Sequence, residues 1–550
     1  MSDPKTTDTG GPAMANETAD LILTGGVVHT VDANDSIAEA VAVADGRILA
    51  VGSNGDAEAT AGPNTRRVDL QGRSLTPGFI DAHHHFVGVG GAEDAIDCKA
   101  PGMQRIDALM EEVRKRAETL PPGTWIRGRG YDQSRLAEQR HPNRHDFDPV
   151  SPEHPVVFTR TCGHIQAVNS RALEAAGIDP HTPDPDGGRY DRDDDGSING
   201  VCYERACGPI QAASAPTADE LRRWLLAANE ADLASGLTSI HDAGGMTGAP
   251  AGIAQELSAS GQLQVRIYSF VTVNASDHPH VGILETGYHT GFGNDRFKLG
   301  AFKVMTDGSS SGPTAATREP YTSDDSSCGI AYWQQEELDD LVGRAHRAGW
   351  QCTVHAVGDK AIEQTLNAME RAMREFPREN LRHRIDHCGI TPPDLQARIT
   401  QLGITPVMQP AFFWEFGDGY IRNYGRHRAD VMFPAKSLLD AGVVVAGSSD
   451  SPVTDYRPLF GIEQALTRAT SDGDVCGPGE QVDLDTAIRM HTRNGASAAF
   501  EEHIKGTIEP GKLADLAVLS ADIRSVPPGE MRDLPVAMTI SGGEVVHEAR

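Results

Sequence analysis

Lysine is scarce in this chain: nine of its 49 basic residues are Lys, against 78 Asp and Glu, and the net charge is −29 over 550 residues. A surplus of that size repels polyanions, so nucleic acid and anionic membrane are excluded as expected partners. Acid excess with little lysine suits a protein kept soluble at high salt, and an arginine bias is equally what a GC-rich genome writes; both readings stay open. Cysteine pairs are also missing. The eight Cys (Cys98, Cys162, Cys202, Cys207, Cys328, Cys352, Cys388 and Cys476) are scattered with no C-x-x-C, which argues against a zinc ribbon or a disulfide framework and predicts reduced thiols. No run approaches eighteen apolar residues, so an ordinary membrane helix is excluded. Residues 1–18 are polar and lack a signal-peptide pattern, which predicts a disordered tail on a soluble, cytoplasmic protein. Aromatic residues make up only 5% of the chain, which makes one cluster conspicuous: Phe412, Phe413, Trp414, Phe416, Tyr420 and Tyr424 within thirteen residues. That cluster predicts an apolar pocket wall with Trp414 in contact with substrate, or else packing onto another surface.

What is present is strand-rich text at both ends and alternating strand and helix between them. Residues 19–77 read as short antiparallel strands, with Asp45-Gly46 as a hairpin turn, and residues 504–550 have the same character around Gly542-Gly543. Strands at both termini predict one β-sandwich assembled from the two chain ends. From 78 to 503, eight strand-like runs alternate with helical ones. The first is PGFIDAHHHF (77–86), and the others begin near 236, 264, 297, 350, 381, 403 and 442. Eight βα units close a TIM-type (β/α)8 barrel, so the fold class is α/β. Residues 93–230 are too long for a βα loop and contain their own helical patterns, so they are expected to form an insertion subdomain. A helix is expected to open at Asp359 as N-cap.

Alternation along the first strand turns His83 and His85 to one face and His84 to the other. The C-terminal ends of later strands carry Lys303, His355, His387 and Asp450, so four imidazoles and an acid converge on the rim where barrel enzymes place their chemistry. This donor set suits one or two divalent ions, with Asp450 as ligand or base. Lys303 cannot remain an ammonium aimed at such a point: it must be neutral, turn away towards Asp307, or become an anion by reaction with CO₂. His164, Glu204, His241, Asp242, Asp307 and Arg457 are further polar residues near the expected mouth, and His164, Asp307 and Trp414 are the candidates for touching substrate.

PGFIDAHHHF, FKVMTDGSSSG, TVHAVGD, RIDHCG, AGSSDSPV, TRNGASAAF and GTIEPGKLADLAVL, in this order, resemble the amidohydrolase superfamily, specifically its YtcJ-like branch that includes N-substituted formamide deformylases. The resemblance spans 19–550. It implies a distorted barrel with a sandwich from both ends and a hydrolase acting on non-peptide C–N bonds of a small molecule: an amide, N-formyl or cyclic amide. His83, His85, His355, His387 and Asp450 are the implied metal ligands, Lys303 an implied carboxylated bridge, and zinc the expected ion. The implied reaction is attack by metal-bound hydroxide, with Asp450 as general acid/base. A homo-oligomer is left open.

Two other signals compete. Gly308-Ser309-Ser310-Ser311-Gly312 fits G-x-S-x-G and offers Ser310 as the nucleophile of a metal-independent serine hydrolase, although Pro313 and Pro320 leave no room for the usual strand-to-helix elbow. DRDDDGSINGVC, from Asp191, imitates a calcium loop but ends on Cys202 where a bidentate Glu is required, so it reads as an acidic turn. The non-catalytic alternative is a metal-stabilised binding protein, against which Asp450 argues, because a structural zinc site has no use for a base.

Overall fold

The structure is a computed structural model that describes residues 18–160, 165–185, 187–276 and 278–549. It divides into two compact units, one of residues up to Phe86 and from Asn229 onward, the other of Val87–Ala228. The expected tail, apart from Thr18, and the candidate His164 lie outside the described residues.

At the centre of the first unit is an all-parallel sheet of eight strands, taken in sequence: Phe79–His84, Leu237–Asp242, Arg266–Val273, Phe297–Met305, Cys352–Ala356, Arg384–His387, Thr405–Met408 and Ala446–Gly447. Each is hydrogen-bonded to the next. The first and last strands meet through backbone bonds just past the short eighth strand: Asp450 N–H donates to His83 O (2.8 Å) and His85 N–H to Ser451 O (2.9 Å). All six residues of the first strand are buried, as expected of a parallel strand covered on both faces.

Helices Gln335–Arg347 and Asp359–Glu375 follow the fourth and fifth strands. The second has Gly358, not Asp359, at its N-cap. Asp359 lies in the first turn, where its carboxylate complements the helix dipole and accepts the Arg318 N–H (2.7 Å) from a neighbouring loop.

The two chain ends do form paired sheets. A four-stranded sheet comes from residues 19–69, and a six-stranded sheet interleaves both ends, with Leu516–Leu519 antiparallel to Ser74–Pro77. One apolar core fills the space, with Leu21, Val41, Leu75, Leu516 and Ile540 all buried. Asp45 and Gly46 have φ of 48° and 74° and connect Ala40–Ala44 to Arg47–Gly52; two positive φ values in succession are what a type I′ turn demands. A buried ion pair links this layer to the barrel: Arg266 in the third strand holds Asp515 at 2.6 and 2.9 Å.

The unit of Val87–Ala228 has its own six-stranded sheet and its own apolar clusters around Phe147 and Ile198. Its bounds differ from the 93–230 read from the sequence because the helix Phe86–Asp94 starts immediately after the histidines. The acidic run is the turn of a hairpin between Gly188–Arg192 and Ile198–Glu204, in which Asp193 is tied to Arg144 (2.8 Å) and His145 (2.9 Å). No cysteine pairing occurs among the described residues, and no described helix is long and apolar enough to cross a membrane.

Candidate active site

The C-terminal ends of the first, fourth, fifth, sixth and eighth strands bring His83, His85, Lys303, His355, His387 and Asp450 into one contiguous network. His83, His387 and Asp450 form its tightest part: one nitrogen or oxygen of each lies within 4.8 Å of those of the other two, and all three are buried. Asp450 Oδ1 stands 3.0 Å from His85 Nε2 and 3.3 Å from His83 Nε2. The His355 and His387 rings are 4.4 Å apart, while His355 Nε2 lies 3.2 Å from the Gly308 carbonyl oxygen.

Two of the three core residues have left-handed backbone: φ is 73° at His387 and 59° at Asp450. Such a conformation costs a residue with a Cβ about 1–3 kcal/mol, and it persists only where the surroundings impose it. Here it turns both side chains out of the strand direction and towards His83.

The supporting contacts determine which atoms face the centre. His387 Nδ1 is bound by Gln409 Oε1 (2.8 Å), and His83 Nδ1 lies 2.9 Å from Asp386 Oδ2, so both rings offer Nε2 inward. Asp386 is fully buried, and its other oxygen accepts from Arg384 (2.9 Å), which also donates to Ala82 O (2.7 Å). The motif RIDHCG contains Arg384 and Asp386, but only its His387 reads as a site residue, and no motif marks Gln409. The only hint is the alternation Arg384–Asp386 in a strand otherwise notable for His387, and nothing local says that both point into the barrel.

Burial pushes the His387 imidazole well below its usual range, and burial followed by the nearby Lys303 brings His355 down to about 4, so both are neutral at pH 7. Burial opposes the charge on Asp450, but His83, His85 and His387 outweigh it and hold the carboxyl well below the ordinary value. Lys303 has its pKa lowered, chiefly by burial. Its Nζ lies 3.1 Å from His83 Nε2 and 3.6 Å from Asp386 Oδ2; it turns to Asp386 and not to Asp307. Burial and Lys303 oppose the charge on His83, but Asp386 and Asp450 outweigh them and raise its pKa. The inward Nε2 atoms of His83 and of neutral His387, together with the buried Asp450 carboxylate, are the donor set of a divalent transition-metal site, so the residues present fit such an ion.

The remaining candidates have other contacts. His84 turns away from this centre, to Asp81 and Asp232, both at 3.3 Å. Asp307 is buried and accepts backbone N–H from Ala316, Val357 and Gly358, which pins the loop after the fourth strand. Asp242 accepts from Phe86 N–H (3.0 Å), and His241 meets Arg384 at 3.0 Å. Arg457 is held by its neighbour Asp455, and Glu204 ends a strand of the other unit. Of the aromatic cluster, now the helix Phe412–Tyr424, it is Phe412 that stacks on His387, with centroids 5.9 Å apart and planes at 16°. Trp414 is half-buried against Phe460, with the Arg532 guanidinium 3.9 Å from its ring centre. The Ser310 hydroxyl is buried and bonded to the Tyr420 hydroxyl (2.9 Å), a phenol whose pKa burial raises and which therefore cannot serve as a base. Turns, not a helix, come after Ser310, so the serine-hydrolase alternative lacks both base and elbow.

The model of the amidohydrolase family matches residues 66–547. The chain is 32% identical over 542 residues to the N-substituted formamide deformylase of Arthrobacter pascens, covering 96% of this chain and 98% of the relative. It is 31% identical to the putative amidohydrolase YtcJ of Bacillus subtilis, covering 95% and 98%. An uncharacterised metal-dependent hydrolase from Pyrococcus furiosus shares the fold, with a TM-score of 0.76 at 24% identity over 92% of this chain and 99% of that one. These matches exclude the non-catalytic alternative: the chain belongs to the amidohydrolase family, in its YtcJ-like branch, and is a hydrolase.

Proposed function

We propose that this enzyme hydrolyses a non-peptide C–N bond of a small molecule, with an N-formyl or other amide as the first class to test and cyclic amides next. The observation that carries the reading is Asp450: a buried carboxylate between His83 and His85, in a cluster with His387, at the barrel's C-terminal rim. Full-length similarity to a formamide deformylase supports the N-formyl class. His83, His85, His355, His387 and Asp450 would hold one or two divalent ions, with zinc the expected metal, and Lys303 would join them as a carbamate formed from its neutral amine and CO₂ with loss of a proton. Its lowered pKa favours the neutral amine that this reaction needs. When bound, the ion supplies the Lewis acidity that makes water nucleophilic at neutral pH and polarises the substrate carbonyl.

The chain's own groups do the rest. Asp450, ionised at neutral pH, takes the proton of the attacking water and returns it to the leaving nitrogen as the C–N bond breaks. Asp386 and Gln409 keep His83 and His387 in the orientation that leaves Nε2 free, and Phe412 backs the His387 ring. The enzyme is read as cytoplasmic.

The test is turnover of a panel of N-formyl, N-acyl, hydantoin and lactone substrates by zinc-loaded, chelator-treated and Asp450→Ala protein. Hydrolysis of an amide by the zinc-loaded wild type alone is the expected result. Activity that survives in Asp450→Ala, or in fully metal-free protein, would overturn the reading.

A further inference from the structure

The seam where the first barrel strand meets the eighth contains a buried line of charge that the hydrolytic reading leaves without a role. Asp81 is 2% exposed, and its carboxylate accepts the backbone N–H of His83 (3.1 Å), the backbone N–H of Ser449 (3.1 Å) and the Ser449 hydroxyl. On its far side, His84 sets Nδ1 3.3 Å from Asp81 and Nε2 3.3 Å from Asp232 Oδ2, and neither His84 nor Asp232 has any exposed surface.

The partners of Asp81 are specific in position. One is the amide of His83 itself, and the other two belong to the residue directly before Asp450. Ser449 in turn organises the turn beyond Asp450: its hydroxyl accepts the Ser451 N–H (2.9 Å) and its carbonyl accepts the Thr454 hydroxyl. The left-handed turn at Asp450 is therefore framed on one side by the Asp81–Ser449 grip and on the other by its own N–H bond to His83 O (2.8 Å). A carboxylate whose two oxygens accept three donors cannot rotate without losing several bonds at once, and His84, held from both ends, closes off the remaining direction.

We propose that Asp81, His84 and Asp232 form a positioning triad that locks the first strand to the eighth and thereby aims Asp450 at the point His83 faces. This rests on the reading of Asp450 as the group that carries the proton. The triad touches no reacting atom; it acts through Ser449 and the His83 backbone. Removing part of the grip should let the Asp450 carboxylate drift, and a misplaced proton carrier lowers turnover more than substrate binding.

The experiment compares Asp81→Asn and Ser449→Ala with wild type in the full-length protein. It uses a substrate hydrolysed by the wild type, zinc affinity from competition with a chromogenic chelator, and thermal melting. Asp515→Asn, which breaks a buried ion pair away from the site, shows what loss of stability does on its own. The expected result for both variants is a kcat lowered about tenfold or more with KM changed less than about twofold, and zinc affinity weakened about tenfold, the scale seen for residues that support metal ligands. Ser449→Ala keeps the charge pattern and stands in should Asp81→Asn not fold. Folded variants with wild-type kcat and zinc affinity, differing only in melting temperature as Asp515→Asn does, would overturn the proposal. If the wild type hydrolyses no amide, the reading of the reaction fails, and the zinc arm still decides the triad: weakened affinity in Ser449→Ala supports it, and unchanged affinity removes it.

Discussion

Replacing Asp386 with asparagine changes one oxygen of a buried group to nitrogen, and the surrounding contacts determine what that does. The carboxylate has one oxygen 2.9 Å from His83 Nδ1 and the other 2.9 Å from the Arg384 guanidinium, with neither residue exposed to solvent. If the new NH₂ faces His83, it donates to Nδ1, so the proton moves to Nε2 and blocks the lone pair expected to bind metal. If it faces Arg384 instead, two donors oppose each other and the guanidinium loses its charge partner. Either way a fully buried cation is left uncompensated, for which about 3–5 kcal/mol of destabilisation is the ordinary scale. Supporting carboxylates of this kind are worth about 10–100-fold in metal affinity, or about 1.4–2.7 kcal/mol. The assay is titration of metal-free wild-type and Asp386→Asn protein with zinc against a chromogenic chelator, alongside thermal melts that establish the folded fraction. A folded Asp386→Asn protein that binds zinc as the wild type does would refute the argument that Asp386 sets the His83 tautomer.

Lys303→Ala should lose metal and activity, and added formate or acetate should restore part of both by filling the vacated bridge; normal zinc binding with no response to carboxylate would end the carbamate proposal. The Arg266–Asp515 pair makes stability pH-dependent on the acid side. Burial opposes the Asp515 charge, but Arg266 outweighs it and the folded pKa lies below the ordinary 3.8. The contribution is therefore fully present above about pH 4 and is lost as pH falls through the folded value, at up to about 1.4 kcal/mol per pH unit. Urea melts of wild type and Asp515→Asn should converge towards low pH, and parallel curves would show that the pair does not titrate as described. Phe412→Ala removes the ring stacked on His387 and should lower kcat. Trp414→Ala should raise KM for hydrophobic substrates more than for small ones, whereas an equal effect on both would leave Trp414 as a packing partner of Phe460 and Arg532.

Much of the architecture was legible locally. A strand declares itself by a short apolar run, and a period of two separates His83 and His85 from His84 without reference to any other residue. The eight βα units, the hairpin at Asp45-Gly46 and the membership of Lys303, His355, His387 and Asp450 in one rim all emerge from such patterns once the strands are counted. What no local pattern carries is partnership. Asp386, on the sixth strand, reaches His83 on the first across 303 positions because both side chains enter the closed barrel, and Asp81 reaches Ser449 across 368 because closure brings the first strand against the eighth. The left-handed backbone at His387 and Asp450 is likewise imposed by neighbours: His and Asp tolerate it better than most residues with a Cβ, but it remains uncommon for both and no local pattern marks it. Ser310 shows the converse: its motif is intact in the sequence, and a tyrosine 110 residues away determines that its hydroxyl is a structural contact. Residue chemistry and periodicity were written in the chain, but which charges meet, which nitrogen faces inward and which aromatic ring backs a ligand were decided by packing between segments far apart in sequence.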